Sequence, residues 1–349
     1  MEVNTVIPPH KSEGMNRSVV YIVVCILPVV ILSVTFVLGV LGNGLVIWVA
    51  GFRMARTVTT LCYLNLAFAD FFFCVTLPFF IVSGAMGGLW PFGSFLCKLT
   101  NIIMDINQHG SIFLIALIAL DRCICALNPV WVQNHRTVSL AKKLIIGPWF
   151  LAVVFTLPTA VFSNTTNGPQ GNVICLATFE SLGSTEEEQM KVLLAIVLPL
   201  GIARFIIGFC MPLSIIFVCN GLIAVKIHGL GMMKSSRPFW VLIAVVASFF
   251  ICWFPYRLIV LLIQVGIQED ETSKFTVCLL LLPLTVSLAC FSSCINPVVY
   301  VFVGQNFRER LIHSLPIRLE RALSEDFVQT TDTAPGSGAP AAGKELTTM

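Results

Sequence analysis

The chain has 349 residues, of which 57% are hydrophobic and only 11% are charged, and its formal net charge is +3. A soluble protein could not keep so large an apolar fraction away from water, and the mean hydropathy of +0.91 places the chain among membrane proteins. The composition therefore excludes a soluble protein, and the small net charge by itself says little about partners.

Seven apolar runs along the chain are each long enough to cross a membrane. A hydrocarbon core about 30 Å thick requires roughly 20 apolar residues of helix. The runs are Val19–Ala50, Val58–Met86, Phe95–Leu127, Ala141–Phe162, Val192–Val225, Phe239–Val265 and Phe275–Val303. Because they account for most of the chain, we predict an all-α membrane protein, a single seven-transmembrane-helix bundle.

The segments outside the runs are short. We predict an extracellular N-terminal segment (1–18), the membrane domain (19–303), an amphipathic membrane-surface helix (304–316) and a disordered cytoplasmic tail (317–349). In the surface helix Phe307 and Leu311 share one face and Arg308 lies on the other, so this helix should contact lipid of the inner leaflet. The tail is rich in Thr, Ser, Pro, Gly and Ala, a composition that does not form a packed core.

Charge placement predicts the orientation of the bundle. The loops after the odd-numbered spans carry Lys and Arg, whereas the opposite loops are acidic, and basic loops remain cytoplasmic. The N-terminus is therefore predicted to be extracellular and the C-terminus cytoplasmic. Two glycosylation patterns, at Asn16 and Asn164, fall on the predicted outer side. Cys97 and Cys175 also lie there, in an oxidising environment, which favours a disulfide between them.

A polar cluster is predicted in the middle of the membrane. Asp70 lies midway along the second span, where a charge is costly and is usually functional. Asn107 and Ser111 share a face of the third span, and Ser292 and Asn296 share a face of the seventh. A carboxylate with neutral oxygens could hold Na⁺. A hydrogen-bonded cluster without an ion is equally consistent with the spacing, and the sequence offers no other cofactor or metal site.

A second polar group is predicted in the outer half of the bundle. Asp105 and His109 are one turn apart on the third span, Arg204 is on the fifth, and Trp253 and Arg257 are one turn apart on the sixth. If these faces converge, they form a mostly apolar cavity with a few placed polar groups, which is typical of a ligand pocket. A buried, hydrogen-bonded side chain without a ligand role is the alternative for His109.

The cytoplasmic end of the third span carries Asp121 and Arg122. Arg122 is seventeen residues from Asp105, about 25 Å along a helix. It could be an arginine that extends to the membrane interface, but the acidic neighbour favours a conformational switch.

The tail contains hydroxyl residues near acidic ones, a pattern typical of kinase targets. Phosphates there could recruit arrestin, whereas the alternative is an ordinary polar tail. The candidate residues are Ser324, Thr330, Thr331, Thr333 and Ser337.

Seven short motifs occur in order on the seven spans. They are Gly42-Asn43-Gly44, Leu66-Ala67 with Asp70, Asp121-Arg122-Cys123, Trp149, Pro212, Cys252-Trp253-Phe254-Pro255 and Asn296-Pro297-Val298-Val299-Tyr300. Together they resemble those of rhodopsin-like G-protein-coupled receptors. Longer stretches, Gly39–Met54, Ile115–Arg122, Asn128–Ala141, Ser235–Pro238 and Gly304–Pro316, are similar to formyl peptide receptors, so the chain resembles a divergent member of that family.

The resemblance implies roles for the pocket residues. Asp105 matches the acidic residue that holds the formylated end of a peptide, and Arg204 matches the second of two arginines that help to bind it. Leu200 stands at the position of the first arginine. His109 and Arg257 also depart from the family pattern, Arg257 standing where a neutral Gln or a Glu is more usual. These departures suggest a ligand preference of the chain's own.

The resemblance also implies an activation mechanism. Arg122, Pro255, Pro297 and Tyr300 match the residues that rearrange on activation, but Asn220 replaces the tyrosine that normally supports the active state with Tyr300. Ser292 likewise stands where an asparagine usually helps to hold sodium. The expected setting is the plasma membrane, with an inhibitory-type heterotrimeric G protein, a receptor kinase and arrestin as partners, in chemotaxis, inflammation or chemosensory detection.

We therefore expect a receptor for peptide ligands, and the sequence leaves three alternatives. A receptor-like protein that binds a non-formylated peptide or a lipid and signals weakly is favoured by Asn220. A transporter or channel would show repeat symmetry and a continuous polar path, and the sequence has neither. An enzyme is disfavoured, because no nucleophile–base set or phosphate loop occurs, and no nucleic-acid partner is expected.

Overall fold

The structure is a computed structural model that describes residues 21–168, 171–177, 185, 191, 195–196, 198–229, 237–266 and 272–303. Several predictions concern other parts of the chain. Asn16, the surface helix 304–316, the five tail hydroxyl residues and the side chain of Tyr300 lie outside the described part.

The described part of the chain contains seven helices that are long and apolar enough to cross a membrane. The helices are Ile22–Arg53, Val58–Ala85, Gly93–Leu127, Val138–Phe162, Leu198–Gly229, Arg237–Gly266 and Thr272–Val303, and a short helix, Pro129–His135, follows the third. They are called the first to seventh helices below. The all-α seven-helix bundle predicted from the apolar runs is confirmed.

Local sequence explains where several helices start. Thr57 and Thr137 have extended backbones, and their hydroxyls accept hydrogen bonds from the backbone N–H three residues later, at 3.1 and 3.2 Å. These N-caps satisfy donors that the first helical turn leaves free. The short helix begins at Pro129, which needs no partner for a backbone N–H in the first turn.

The third helix is the centre of the bundle. It packs against the second, fourth and fifth helices, and its polar residues from Asn107 to Ser111 are all buried. Lipid-facing positions are instead apolar, as at Phe72 and Phe150, which are 60% and 66% exposed. Small residues allow close helix contact: a Cβ at Gly39 would lie 2.3 Å from Cys74 Sγ, so the first and second helices touch there.

A β-hairpin follows the fourth helix, at the end of the bundle that the charge pattern predicts to be extracellular. This end is called the outer end below, and the opposite end is called the cytoplasmic end. Strand β1, Ser163–Asn167, pairs antiparallel with β2, Val173–Ala177, with Thr165 opposite Cys175. A disulfide joins Cys175 to Cys97 near the start of the third helix, which confirms the predicted pairing. The sequence did not predict the hairpin, because β1 is a short polar stretch without apolar alternation. The disulfide fixes the hairpin over the outer end of the bundle.

Candidate ligand-binding site

A cavity of about 200 Å³ opens at the outer end of the bundle. Its wall combines polar and apolar side chains from the third to sixth helices and the hairpin. The lining residues are Asn101, Met104, Asp105, Thr159, Ser163, Leu176, Gly201, Arg204, Phe205, Tyr256, Arg257, Val260 and Leu261. The structure therefore brings Asp105, Arg204 and Arg257 to one cavity, and His109 and Trp253 lie beneath it.

Asp105 and Arg204 form an ion pair across the cavity wall. Arg204 Nη2 donates to Asp105 Oδ2, and the hydroxyl of Thr159 donates to the same oxygen. Arg204 Nη1 also donates to Thr159 Oγ1 at 3.2 Å. Three helices thus meet at one carboxylate, and the pair is almost excluded from solvent, with side-chain exposures of 17% for Arg204 and 11% for Asp105. Removing either partner of such a pair leaves an uncompensated buried charge, which strongly destabilises the protein.

His109 connects the third helix to Arg257. Its Nδ1 lies 2.9 Å from the carbonyl oxygen of Asp105, and its Nε2 lies 3.0 Å from Arg257 Nη2. A carbonyl only accepts and a guanidinium only donates, so Nδ1 carries the proton and Nε2 the lone pair. His109 is therefore neutral. Its ring stacks on Phe155 at 5.4 Å, and Gly208 leaves room for it, since a Cβ there would lie 3.2 Å from Nε2.

Several polar atoms around the cavity lack a hydrogen-bond partner within the described part of the chain. They are Nε of Arg204, Nε of Arg257 and both amide atoms of Gln108. All four atoms are buried, and leaving a buried polar group unpaired costs about 1–3 kcal/mol. Among the described residues, the two arginines of the cavity are therefore incompletely satisfied.

Trp253 lies beneath the cavity, in contact with Tyr256 of the cavity wall, and is completely buried. Its ring packs edge-on against Tyr256 at 5.9 Å, and its Nε1 donates to Ser292 Oγ at 2.7 Å. Ser292 in turn donates to the carbonyl of Ala289. The structure therefore places Ser292 against Trp253, at the junction between the cavity and the polar cluster below it.

The polar cluster centres on Asp70. Asn107 Nδ2 and Asn296 Nδ2 donate to its two carboxylate oxygens, each at 2.8 Å, and Ser293 donates to Asn107 Oδ1 at 3.3 Å. The hydroxyl of Ser111 is buried and has no hydrogen-bond partner among the described residues. Ser111 is one helical turn from Asn107, and a carboxylate together with an unpaired hydroxyl is a ligand set that a small hard cation accepts. The two amide donors also stabilise the carboxylate directly, so the cluster can exist without one.

The cytoplasmic end is organised around Thr59 and Arg136. Arg136 holds both oxygens of Asp121, with Nε and Nη2 each at 2.8 Å, and also donates to Thr59 Oγ1 at 3.2 Å. Arg122 donates to the same Thr59 oxygen. The hydrogen bond between Arg136 and Asp121 raises the pKa of Arg136 above its ordinary value. Arg122 is thus bound to the second helix and not to the adjacent carboxylate.

The remaining predicted residues are placed as follows. Asn220 lies in the fifth helix with its side-chain oxygen buried and unpaired among the described residues. Pro255 lies inside the sixth helix, and Pro297 in the seventh contacts the first helix where a Cβ at Gly42 would lie 3.0 Å away. Asn164 lies in β1, half-buried, and its side chain accepts from the N–H of Thr165.

Sequence reasoning missed five residues that complete these sites. They are Thr59, Arg136, Thr159, Tyr256 and Ser293. Each is a common residue type with no special spacing, and Arg136 belongs to one of the loops that are rich in Lys and Arg. Ser293 could have been suspected, since it is adjacent to Ser292 and one turn before Asn296 and Pro297.

Comparisons with known proteins agree with this architecture. Residues 42–300 match the 7 transmembrane receptor (rhodopsin family) model. The chain is 60% identical to N-formyl peptide receptor 2 of Homo sapiens over the full length of both proteins. It is 57% identical to Formyl peptide receptor 2 of Mus musculus and 55% identical to the fMet-Leu-Phe receptor of Homo sapiens, each over 99% of both chains.

These comparisons confirm the predicted family and, with it, a receptor and not an enzyme. They also confirm a multi-pass protein of the plasma membrane. The chain belongs to the formyl peptide receptors, within the rhodopsin family of seven-transmembrane receptors.

Proposed function

We propose that the chain is a receptor for peptide ligands that enter the outer cavity and that it signals through an inhibitory-type heterotrimeric G protein. The names of its relatives support a peptide ligand, since they are receptors for formyl peptides and for fMet-Leu-Phe. The setting would be chemotaxis, inflammation or chemosensory detection. This requires the orientation predicted from charge, with the N-terminus outside and the C-terminus inside.

The observation that carries the proposal is the ion pair of Asp105 and Arg204 in the cavity wall. The pair presents acceptor oxygens beside guanidinium donors, which is the complement of an amide or formamide group. The apolar neighbours Met104, Phe205 and Val260 would accommodate a hydrophobic side chain. A peptide end offers both features together.

A continuous set of contacts leads from the cavity to the cytoplasmic half. Tyr256 contacts Trp253, Trp253 is bonded to Ser292, and the adjacent Ser293 reaches the cluster of Asn107 and Asp70. Ligand binding would act by favouring one of two arrangements of this set, with bends at Pro255 and Pro297.

A sodium ion would be held by Asp70 and Ser111, with Asn107 and Asn296 around the carboxylate. A bound cation would stabilise the arrangement in which these helices are drawn together. Ser292, the fifth residue predicted for this set, accepts a hydrogen bond from Trp253 and keeps a second lone pair for a cation.

Further parts of the proposal concern modification and regulation. Asn16 and Asn164 would carry glycans on the outer side. Phosphates on the tail hydroxyl residues from Ser324 to Ser337 would recruit arrestin after a receptor kinase acts. Release of Arg122 from Thr59 would open the groove for the G protein.

A second candidate is a receptor of the same fold that binds a non-formylated peptide or a lipid and signals weakly. The buried oxygen of Asn220, which has no partner in the described part of the chain, favours it. No hydroxyl is available at this position to stabilise an opened cytoplasmic end.

G-protein activation in transfected cells tests the proposal. We would compare formyl-Met-Leu-Phe, its unformylated twin and longer amphipathic peptides, on the natural chain and on Asp105→Asn. We expect at least one peptide to activate the G protein, with its potency reduced about 100-fold in Asp105→Asn, because charge-assisted hydrogen bonds are lost.

The matched control is Leu99→Ala, a change on the same helix at a partly exposed, apolar position. It should leave potency unchanged, and surface expression would be measured for every variant. A peptide response that is equal in the natural chain and Asp105→Asn would place recognition elsewhere. Silence toward all peptides, at normal surface expression, would favour the second candidate.

A further inference from the structure

The cavity carries more positive than negative charge. Among its lining residues that the structure describes, Asp105 is acidic and Arg204 and Arg257 are basic. The carboxylate of Asp105 is engaged by Arg204 and Thr159. Arg257 forms no ion pair within the described part of the chain, although it is only 7% exposed. Its guanidinium remains protonated, so among the described lining residues two buried positive charges face a single carboxylate.

The position of Arg257 is fixed from one side only. Nη2 donates to the neutral His109, whereas Nε is buried and has no hydrogen-bond partner among the described residues. His109 is itself held by the carbonyl of Asp105 and by stacking on Phe155. Within the described part of the chain the guanidinium is therefore anchored at Nη2 alone, and Arg257 contributes to the lining of the cavity.

We propose that Arg257 is an anion-binding residue and that ligands of this receptor carry a carboxylate that pairs with it inside the cavity. This rests on the proposed function only in treating the cavity as the ligand site. A planar guanidinium fork binds a carboxylate through two parallel hydrogen bonds, and exclusion of water strengthens that pairing.

The size of the cavity sets the class of ligand. A volume of about 200 Å³ accommodates a terminal group and a neighbouring side chain, not a folded domain. The carboxylate could come from a peptide C-terminus, from an acidic side chain or from a small apolar acid. These sources share the same chemistry at Arg257, so the experiment separates them.

His109 is a positioning residue in this proposal. As a neutral acceptor, it holds Arg257 without neutralising its charge. A carboxylate in its place would complete an ion pair within the protein and remove the attraction for an anionic ligand. A phenylalanine would preserve the stacking on Phe155 and lose the acceptor.

The test measures binding to the purified full chain in detergent, without a G protein. Three matched pairs are compared by the shift in unfolding temperature: Met-Leu-Phe and its C-terminal amide, N-acetyl-Leu-Asp-amide and N-acetyl-Leu-Asn-amide, and 3-phenylpropanoate and 3-phenylpropanamide. We expect at least one acid to bind about tenfold or more tightly than its neutral partner. The pair that shows this identifies the source of the carboxylate.

Arg257→Gln should remove the preference for the acid and leave binding of the neutral partner unchanged. Arg257→Lys keeps the charge without the fork, so it should retain a reduced preference and serves if Arg257→Gln does not fold. Leu258→Ala, at a more exposed position next to Arg257, is the control. His109→Phe should weaken the preference severalfold while leaving Arg257 present.

Equal binding of acid and neutral partner in all three pairs, including no binding of any probe, would overturn the proposal. A preference that survives Arg257→Gln would do the same. If His109→Phe keeps the full preference, His109 has no positioning role. Because no G protein is present, a receptor that fails to signal but prefers the acid would refute the proposed function and leave this inference intact.

Discussion

The outer cavity and the cytoplasmic end both contain charged side chains, but their partners differ. In the cavity, Arg204 and Arg257 each keep an unpaired buried Nε within the described part of the chain. At the cytoplasmic end, Arg136 uses two nitrogens to hold both oxygens of Asp121 at 2.8 Å. The outer guanidiniums thus keep donors without a partner in the described part of the chain, whereas the inner pair satisfies both carboxylate oxygens.

This difference predicts how each end gains free energy when it binds a partner. Unpaired buried donors cost free energy, and a ligand that satisfies them recovers it as binding energy. The bidentate pair at the cytoplasmic end already has its hydrogen bonds, so binding of a cytoplasmic protein there must exchange existing contacts for new ones. Ligand binding can therefore add hydrogen bonds at the outer end, whereas signalling must replace hydrogen bonds that already exist at the cytoplasmic end.

The largest expected effect comes from breaking the ion pair of the cavity. Asp105→Asn leaves Arg204 buried without a counter-charge, and Arg204→Gln leaves Asp105 likewise, so each should cost about 3–5 kcal/mol of stability. The double variant removes both charges and should recover much of that loss. Thermal unfolding of purified receptor, arranged as a double-mutant cycle, measures the coupling. Additive losses in the double variant would show that the two residues are not paired.

The sequence predicted the spans well because a membrane helix must be long and apolar. It could not predict which face of each helix turns inward, since lipid and core are both apolar. Phe72 and Phe73 are adjacent and alike in the sequence, yet Phe72 is 60% exposed and Phe73 is fully buried. Helix rotation is set by packing, as where the small Gly39 meets Cys74.

The candidate sites were predictable only as groups of polar residues. A charge in a span identifies itself, so Asp70, Asp105, Arg204 and Arg257 stand out from sequence alone. Their partners do not, because Thr159 and Thr59 are ordinary residues that become important through three-dimensional convergence. The disulfide was predictable because Cys97 and Cys175 were the two cysteines on the outer side, whereas the hairpin had no apolar alternation.

Breaking the ion pair of Arg136 and Asp121 at the cytoplasmic end should have a smaller effect. Arg136→Gln removes the bidentate bond, and since the two side chains are 25% and 18% exposed, we expect a loss of about 1 kcal/mol. The freed Asp121 can then pair with the neighbouring Arg122, so nucleotide exchange on an inhibitory-type G protein should fall about fivefold. Because the pKa of Arg136 is raised in the folded protein, this stabilisation is fully present at any pH below the pKa of Arg136 in the unfolded chain. The stabilisation therefore does not vary at physiological pH.

Lys142→Gln is the matched control for Arg136, since Lys142 is an exposed base soon after it in the chain. It should change stability by less than about 0.5 kcal/mol. Increased nucleotide exchange in Arg136→Gln would reverse the interpretation, because Arg136 would then restrain the receptor and not keep Asp121 away from Arg122.

A third expected effect, similar in size to that of Arg136→Gln, tests the junction between the two ends. Ser292 and Ser287 both lie in the seventh helix, are buried and donate to a carbonyl three residues earlier, but only Ser292 also accepts from Trp253. Ser292→Ala should therefore cost about 1 kcal/mol more stability than Ser287→Ala, because the indole N–H loses its partner. It should also alter the response to ligand, measured as the ratio of G-protein activation to binding. If the two variants behave alike, the hydrogen bond between Trp253 and Ser292 does not connect the outer cavity to the cytoplasmic end.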